Sequence, residues 1–428
     1  MISATTRVLD QLRTYESPNM LAIEADGSWP IVWERARGTQ VWDAEGKQYL
    51  DLTAAFGVAA AGHANPRVVA AGSRQLSKLP HAMGDVHPHA LKAQLARELS
   101  RITFERWSSG RHTGKAIFNN SGFESVEAAL KTAILATGCK GILAFKGAYH
   151  GLGYGALNAT HRPFFRDPFR AQLREFGHFV PFPKTAEELK QTRKQIKRLL
   201  DTGACGAVLV EPIQARGGIN VPPVDFLPML RECCDRNGAL LVLDEIYTGF
   251  GRTGKWFACE ESETMPDLIC LGKALTGGFP LSACVGRSDI IDAAWPLSRG
   301  EAIHTSTFQG NPVGCAMALA QITEIHNKKL PDRSARLGVF LFDALREAIP
   351  PAQSEVRGRG LMVGVELRNQ DGSPATDRAF KAIKEMLRRG FILLPEGEHS
   401  NIISLTPPLT ITRSELAAAV KTLGEVLS

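Results

Sequence analysis

The stretch "ALLVLDEIYTGFGRTGKW", residues 239–256, joins a short apolar run to a segment rich in glycine and polar residues. Its first five residues are all aliphatic, which is typical of a strand buried on both faces of a parallel sheet. The following "GFGRTGKW" has the GxxxxGK spacing of a nucleotide phosphate loop, but Trp256 stands where that loop needs a hydroxyl for magnesium. A phosphate loop also opens a helix, whereas this segment leads into the acidic "CEESETMPD". We therefore interpret residues 249–256 as a loop after a strand and not as a nucleotide site.

Similar apolar runs lie on both sides of this strand and end in polar residues: "KAIFNNSG", "GILAFKGAYHG", "GAVLVEPIQ" and "DLICLGKALTGG". Helical patterns separate them, and the segment "ESVEAALKTAILATG" predicts a helix that ends at Gly138. Its predicted buried face comprises Val126, Ala129, Leu130, Ala133 and Ile134. This alternation predicts an α/β fold with a mostly parallel sheet and a ligand site at the carboxyl ends of its strands.

The chain divides into three predicted parts. Residues 56–315 are expected to form the large α/β domain, because the apolar runs recur through this section. Residues 316–428 interleave strand-like pieces such as "GRGLMVGVEL" with helical patterns, so we expect a smaller α+β domain there. Residues 1–55 are expected to pack with this small domain.

Composition excludes several classes of protein. The hydrophobic share of 44% and charged share of 22% are those of a globular protein, and the net charge of +6 is spread along the chain. No basic block indicates nucleic-acid binding, and no run reaches the roughly 18 apolar residues of a membrane span. The eight cysteines have no metal-binding spacing, so we expect no metal and a reducing compartment. The start of the sequence lacks the apolar core of a signal peptide, and we therefore expect a cytoplasmic location.

Two ionisable residues stand at the ends of predicted strands. Lys273 follows "LICLG", where partial burial would lower the pKa of its amine and favour Schiff-base chemistry. Asp244 ends "ALLVLD", and a buried carboxylate needs a cation such as a protonated pyridine nitrogen. Each residue alone has an ordinary structural explanation, a solvated lysine or a helix-capping aspartate. Together they favour a cofactor site.

A candidate anion site lies at the start of the predicted helix in "NNSGFESVEAALK". The free N–H groups and the dipole of a helix N-terminus favour a phosphate. Ser121 is equally suited to cap the helix, with Glu124 at the capping-box position. Both roles of Ser121 remain open at this point.

The stretch "LVLDEIYTGFGRTGKWFACE" followed by "PDLICLGKALTGGFPLSACVG" resembles the signature of the class III pyridoxal phosphate-dependent aminotransferases, which include the ω-aminotransferases. The resemblance continues through "YLDLTAAFGVAAAGHANPRV", "HTSTFQGNPVG", "VRGRGLMVGVEL" and "TPPLTIT", and so covers most of the chain. It implies the fold of the fold type I transferases and pyridoxal 5'-phosphate as the coenzyme. It also implies that "GFGRTGKW" is the loop after the coenzyme-binding aspartate.

The resemblance assigns roles around the coenzyme. Lys273 would be the catalytic residue that forms the Schiff base and moves the substrate proton, and Asp244 would pair with the pyridine nitrogen. Ser121, Gly122 and Phe123 would bind the phosphate. The family commonly has a threonine in place of Phe123, so one side-chain contact is expected to be lost.

The resemblance also assigns the walls of the site. Tyr149 would stack on the coenzyme ring with His150 beside it. Thr307 would reach the phosphate bound by the other subunit, which implies a homodimer with shared active sites and leaves open whether dimers pair into tetramers. The remaining residues expected around the ring and the substrate are Phe56, Glu211, Gln214, Arg216 and Ser404.

One departure from the family concerns the substrate. Many members that use α-amino acids have an arginine that clamps the α-carboxylate before the Pro-Pro of the last motif, and this sequence has Ser404 there. One hypothesis is that a substrate is an amine or a polyfunctional amino compound with a positive charge facing Glu211. The other is that Arg216, where the family often has an acidic residue, supplies a relocated carboxylate site.

The implied activity is transamination in two half-reactions, in which an amino donor gives its amino group to the coenzyme and a carbonyl acceptor removes it. An isomerase of the same family, a racemase or an aminomutase, is the alternative. A donor added without acceptor distinguishes them, because a transaminase then accumulates pyridoxamine phosphate and a racemase does not.

Overall fold

The computed structural model describes residues 3–24 and 27–428, without the side chain of residue 353; residues 1–2 and 25–26 of the predicted N-terminal segment lie outside the described residues. Elements are numbered in chain order. Within the described residues, the predicted apolar runs lie in a seven-stranded sheet. In spatial order its strands are β4 (Gly114–Asn119), β10 (Ser282–Arg287), β9 (Leu268–Leu271), β8 (Leu240–Asp244), β7 (Cys205–Val210), β5 (Gly141–Phe145) and β6 (Gly177–Val180).

This large sheet is mixed, with β10 as its antiparallel strand. β9, β8, β7, β5 and β6 pair in parallel, whereas β10 runs antiparallel to both β4 and β9. The five runs named from the sequence are β4, β5, β7, β8 and β9. Because these five strands point the same way, the polar residues after them meet at one edge of the sheet.

Two smaller four-stranded sheets complete the β structure of the described residues. One has the order β1 (Trp33–Arg37), β2 (Gln40–Asp43), β3 (Gln48–Asp51), β13 (Phe391–Ile392). The other has the order β11 (Ser354–Arg359), β12 (Met362–Leu367), β15 (Ile402–Leu405), β14 (Leu394–Glu396). β13 pairs in parallel with β3, which joins the N-terminal strands to the C-terminal part of the chain.

The helices are α1 (Ala4–Tyr15), α2 (Ala54–Gly57), α3 (Pro66–Lys78), α4 (Ala90–Ser100), α5 (Gly122–Thr137), α6 (Tyr154–Leu157), α7 (Pro163–Arg166), α8 (Ala186–Asp201), α9 (Phe226–Asn237), α10 (Ser288–Ala294), α11 (Pro312–Asn327), α12 (Leu330–Ala348), α13 (Thr376–Arg388) and α14 (Arg413–Leu427). The boundaries predicted at 55/56 and 315/316 fall inside α2 and α11, and the division into three parts stays a prediction. Among the described residues, no helix is both long enough and apolar enough to cross a membrane.

The core covers both faces of the large sheet. On one face α5 packs its small residues Ala129 and Ala133 against Leu209 and Val242 of β7 and β8. On the opposite face, the alternate strand residues pack with aromatic and aliphatic side chains of α9. Burial on both faces explains why the central strands are continuously apolar in sequence. The sheet is thereby fixed, and its carboxyl edge becomes a rigid platform for polar side chains.

Candidate active site

A cavity of about 360 Å³ opens at the carboxyl edge of the large sheet. Eight of the residues predicted from the sequence line it: Gly122, Phe123, Tyr149, His150, Glu211, Arg216, Asp244 and Lys273. Residues that the sequence analysis did not single out complete the lining: Gly151, Leu152, Ile213, Ala215, Ile246, Tyr247 and Thr248. The fold thus brings together residues that are up to 151 positions apart, from 122 to 273.

Lys273 follows β9 after one glycine and begins a single 3₁₀ turn. Its backbone φ of +44° lies in the left-handed region, which is strained for a residue with a Cβ and recurs at functional sites. The Nζ atom lies 4.2 Å from the centre of the Tyr247 ring. Burial lowers the pKa of Lys273, while the charges of Asp244 and Glu211 act in the opposite direction. A lysine held in this way is prepared to act as a nucleophile.

Asp244 is the last residue of β8 and is 5% exposed. Its Oδ2 atom lies 2.8 Å from His150 Nδ1, and its Oδ1 atom accepts the N–H of Ile246 at 3.1 Å. His150 is buried, and its Nε2 atom has no hydrogen-bond partner within the described structure. His150 thus orients the carboxylate of Asp244 toward the cavity. This carboxylate can still accept a hydrogen bond from a group bound there.

The N-terminus of α5 offers an anion site. Glu124 accepts the N–H groups of Asn120 and Ser121 at 2.7 Å each, and the Ser121 oxygen faces the backbone N–H of Glu124, so both sides of the capping box are present. The Ser121 hydroxyl is buried and makes no hydrogen bond of regular geometry within the described structure. Its proton can therefore be donated to an anion at the helix N-terminus in addition to the capping role. Ser121 itself lies next to the cavity lining and not in it.

Glu211 directly follows β7 and joins two segments of the cavity wall through its hydrogen bonds. Its Oε1 atom accepts the N–H of Tyr149 at 3.0 Å, and its Oε2 atom accepts the N–H of Ala215 at 3.1 Å. Burial raises the pKa of Glu211 to about 7. The carboxyl group of Glu211 is therefore hydrogen-bonded by the protein itself and does not need a cation from a substrate. Tyr149 in turn packs against Phe165, with their ring centres 5.5 Å apart.

Arg216 lines the cavity and forms an ion pair with Glu396. Its Nη1 atom lies 2.9 Å from Glu396 Oε2, and Glu396 is 3% exposed. Burial raises the pKa of Glu396 to about 7 against the opposing charge of Arg216. Glu396 was not predicted as a site residue, although the sequence shows a carboxylate directly after the strand-like run "FILLP".

Besides Ser121, four residues expected around the site lie outside the cavity lining. Gln214 is buried, and its amide donates to Lys146 O at 2.8 Å, so it supports the loop below the site. Ser404 is buried within β15 and donates to Leu394 O. Phe56 and Thr307 are exposed at the chain's surface. Gln214 and Ser404 are thus held by protein contacts, while Phe56 and Thr307 face solvent.

The loop "GFGRTGKW" is a structural connection. Arg252 is almost fully buried and donates from Nη1 to the carbonyl oxygens of Leu361 at 2.9 Å and Pro407 at 2.6 Å. Glu245 accepts the N–H groups of Ala258 and Cys259, both at 2.9 Å, and so closes the loop from its other end. The charged residue inside the loop therefore binds the C-terminal part of the chain.

These groups match the parts of pyridoxal phosphate. The helix N-terminus with the free Ser121 hydroxyl fits the phosphate, the oriented Asp244 carboxylate fits a protonated pyridine nitrogen, and Lys273 fits the aldehyde carbon. The large sheet with the lysine and the aspartate after neighbouring strands thus defines a pyridoxal phosphate-dependent transferase of fold type I.

Comparison with known proteins specifies the family. The model of the family "Aminotransferase class-III" matches residues 22–427, and the chain belongs to this family. It is 37% identical over 441 residues to the putrescine aminotransferase of Pectobacterium atrosepticum, covering 100% of this chain and 90% of that protein. It is 38% identical over 399 residues to the acetylornithine aminotransferase of Methanopyrus kandleri, covering 93% and 95%.

A solved structure agrees with this assignment. The amine transaminase from an uncultivated Pseudomonas species, determined with pyridoxal phosphate bound, has a TM-score of 0.88 and 28% identity over 96% of this chain and 98% of that chain. The chain is a pyridoxal phosphate-dependent enzyme that catalyses transamination between an amino donor and a carbonyl acceptor.

Proposed function

We propose that Lys273 is the residue that binds the coenzyme covalently and then moves the substrate proton. When bound, the coenzyme supplies an electron-accepting ring that stabilises negative charge on the substrate carbon. Asp244, held by His150, keeps the ring nitrogen protonated. Tyr149 covers the ring, and the lowered pKa of Lys273 favours the neutral amine that accepts the proton.

The N-terminus of α5 anchors the phosphate in this proposal. Ser121 donates its free hydroxyl, and Gly122 and Phe123 donate backbone N–H groups. Gly122 lies against Ile246, since an added Cβ at this position would be 3.1 Å from its side chain. Phe123 lines the cavity with its ring in the place where the family commonly has a threonine. This aromatic side chain makes the entrance more apolar than a hydroxyl would.

We propose an amine as the donor and a 2-oxo acid as the acceptor. The ion pair of Arg216 and Glu396 at the cavity wall carries this assignment. While the pair is closed, the wall offers no free cation, which suits an amine that has no carboxylate. When the pair opens, the guanidinium can bind the carboxylate of a 2-oxo acid in bidentate fashion. One site can then accept both substrates in turn.

The known relatives support this substrate class. The names of two of them, a putrescine aminotransferase and an amine transaminase, describe enzymes for amines. The two hypotheses raised for Ser404 are therefore compatible, with the amine as donor and Arg216 as the carboxylate site of the acceptor. The hydrogen bonds of Glu211 to two backbone N–H groups argue against a second ammonium bound at Glu211.

We also propose a homodimer with shared active sites in a reducing compartment, the cytoplasm. Exposed apolar side chains, Met83, Val86, Ile303 and Phe308, lie in two segments that contact each other, and the exposed Thr307 stands in one of them. Exposed apolar surface of this kind marks protein interfaces. The eight cysteines are free thiols, and all except Cys139 are buried, which fits a reducing environment.

The proposed donor class is tested in the first half-reaction. Purified enzyme loaded with pyridoxal phosphate is mixed with a diamine, a monoamine or an α-amino acid without acceptor, and the pyridoxamine phosphate formed is measured by chromatography. We expect conversion with the amines and at least tenfold slower conversion with an α-amino acid whose 2-oxo acid the enzyme does not accept. The α-amino acid formed from the acceptor is expected to convert the coenzyme as well, because this reaction is the reverse of the second half-reaction.

Two variants control this experiment. Lys273→Ala is expected to form no pyridoxamine phosphate, while Lys255→Ala, which changes the exposed lysine of the "GFGRTGKW" loop, converts at the normal rate. Faster conversion with an α-amino acid that is not formed from an acceptor than with the amines contradicts the donor assignment. Activity of Lys273→Ala contradicts the role of Lys273.

A further inference from the structure

Arg162 lies just outside the cavity, beside the ion pair of Arg216 and Glu396. Its Nη2 atom donates to the carbonyl oxygen of Glu398 at 3.1 Å. The neighbouring Gly397 donates its N–H to the carbonyl oxygen of Arg216, also at 3.1 Å. Both arginines therefore contact one turn, residues 396–398.

A stack of aromatic rings connects Arg162 with the coenzyme end of the cavity. Its guanidinium carbon lies 5.4 Å from the centre of the Phe165 ring. Phe165 packs edge to face on Tyr149, which lines the cavity. The guanidinium plane of Arg162 is thus supported by packing, which reduces the entropy lost when it binds a ligand.

Arg162 has no carboxylate partner within the described residues. Its hydrogen bond goes to a backbone carbonyl, and no salt bridge is formed at a distance of 4.0 Å or less. Partial burial lowers the pKa of Arg162 and the charge of Arg216 lowers it further, while the charges of Glu398 and Glu396 act in the opposite direction. Neither carboxylate forms a salt bridge with Arg162, so a ligand that brings negative charge between the two arginines is favoured. The next arginines along the chain differ, because Arg166 and Arg170 both face Glu175 at 3.9 Å.

We infer that Arg162 binds the distal carboxylate of a dicarboxylic 2-oxo acid while Arg216 binds the carboxylate next to its carbonyl. This inference rests on the proposed function, because it requires a 2-oxo acid in this cavity. Arg162 is then a specificity-determining residue that selects dicarboxylic over monocarboxylic acceptors. One guanidinium nitrogen is engaged by Glu398, and the remaining N–H groups of the fork are available for the ligand.

The test compares two acceptors in the second half-reaction. Enzyme loaded with pyridoxamine phosphate is mixed with 2-oxoglutarate, which has two carboxylates, or pyruvate, which has one. For Arg162→Gln we expect kcat/KM for 2-oxoglutarate to fall about tenfold to a hundredfold, the usual loss for a charged hydrogen bond. We expect kcat/KM for pyruvate to change by less than about twofold, because pyruvate ends before Arg162.

Two further variants and a binding measurement sharpen the result. Arg162→Lys keeps the charge without the fork and is expected to recover part of the loss. Arg170→Gln removes an exposed arginine from the same segment and is expected to behave as the unchanged enzyme. Calorimetry with glutarate, which does not react, is expected to give a dissociation constant raised by the same factor in Arg162→Gln.

The outcomes separate the two proposals. If the unchanged enzyme accepts neither 2-oxo acid although amines convert the coenzyme, the proposed acceptor class is wrong. If it accepts both, but Arg162→Gln loses equal activity toward 2-oxoglutarate and pyruvate, the inference about Arg162 is overturned. An unchanged preference for 2-oxoglutarate in Arg162→Gln overturns it equally.

Discussion

The buried carboxyl group of Glu396 pairs with Arg216, the proposed carboxylate site of the acceptor. The two side chains are 2.9 Å apart, and burial raises the pKa of Glu396 to about 7. Below that pH the carboxyl group is protonated, and Arg216 keeps its charge without a competing anion. Above it the carboxylate holds Arg216, and a substrate carboxylate must displace it. Carboxylate binding is therefore linked to one proton.

We predict that a carboxylate ligand binds more tightly at pH 6 than at pH 8. If only the enzyme with protonated Glu396 binds, the dissociation constant of glutarate rises up to about tenfold across this range. Glu396→Gln is expected to bind as tightly at pH 8 as the unchanged enzyme does at pH 6. Isothermal calorimetry at several pH values measures both.

Two comparisons isolate this effect from other groups. Glu211 also has a pKa raised to about 7, but it is present in both proteins, so the difference between them reports Glu396. Glu398→Gln, an exposed residue two positions away, is expected to keep the pH dependence. A dissociation constant that rises with pH as steeply in Glu396→Gln as in the unchanged enzyme contradicts the linkage.

Among single residues, the sequence predicts those site residues that stand at the end of a predicted strand. Asp244 and Lys273 were predicted because each directly follows an apolar run, and the structure places both in the cavity lining. Their chemical roles remain predictions. Glu396 and Arg162 were not predicted, because their significance comes from contacts with segments about 180 to 240 positions away, 216 with 396 and 162 with 398. Contacts between such distant residues leave no local pattern in the sequence.

Among the elements, α5 shows what periodicity can and cannot predict. Its C-terminal end at Gly138 is confirmed by a left-handed φ of +71°. The predicted buried face was partly wrong, because Ile134 is 43% exposed while Ser125, Ala128 and Thr132 are buried. Small residues let the helix approach the sheet closely, so size and not hydrophobicity sets the buried face.

The large sheet also agrees with the sequence prediction only in part. The sequence predicted a mostly parallel sheet, which the four parallel pairings among β5 to β9 confirm for that part. The antiparallel strand β10 and the edge strand β6 were not identified. Strand direction depends on how the chain returns after Lys273, and an apolar run such as "LSACVG" looks the same in either direction.

The turn between β11 and β12 docks on the "GFGRTGKW" loop and gives an element-scale prediction. Gly360 has a φ of +55°, and a Cβ there would lie 2.5 Å from the carbonyl carbon of Thr253. We expect Gly360→Ala to lower the free energy of unfolding by about 3 kcal/mol, since backbone atoms must move in addition to the left-handed strain. Urea unfolding of the purified protein measures the change.

A matched glycine separates the two causes. Gly372 also has a positive φ, +83°, but a Cβ there would meet nothing within 4 Å. Gly372→Ala is therefore expected to lower the free energy of unfolding by about 1 kcal/mol through strain alone. Equal unfolding midpoints for the two variants show that the loop and the turn do not pack as closely as described.

At the scale of the whole molecule, several exposed apolar side chains lie in two segments that contact each other. The segments 81–86 and 303–308 are joined by a hydrogen bond from Thr305 Oγ1 to Asp85 Oδ2 at 2.7 Å and by the ring contact of His81 with Phe308. Five exposed apolar residues lie in or near these segments: Met83, Val86, Leu297, Ile303 and Phe308. In the proposed homodimer, a second copy of the chain covers this region and brings Thr307 to the other subunit's cavity.

The shared site leads to a prediction for mixed dimers. Thr307→Asp places a carboxylate where the partner's phosphate is expected, so the homodimer should be inactive because like charges repel. Lys273→Ala inactivates its own cavity but keeps an intact Thr307. A hybrid of the two variants then contains one cavity with Lys273 from one subunit and Thr307 from the other. Hybrids purified through two different affinity tags are expected to have about half the activity of the unchanged dimer.

The opposite arrangement gives a different result in the same measurement. If Thr307 served the cavity of its own chain, the subunit with Lys273 would also carry the harmful aspartate, and the hybrid would stay inactive. Light scattering on the hybrid preparation verifies that dimers are present, so a lack of activity cannot come from dissociation. Recovered activity therefore requires that each cavity is completed by both copies, and it assigns Thr307 to the phosphate of the neighbouring subunit.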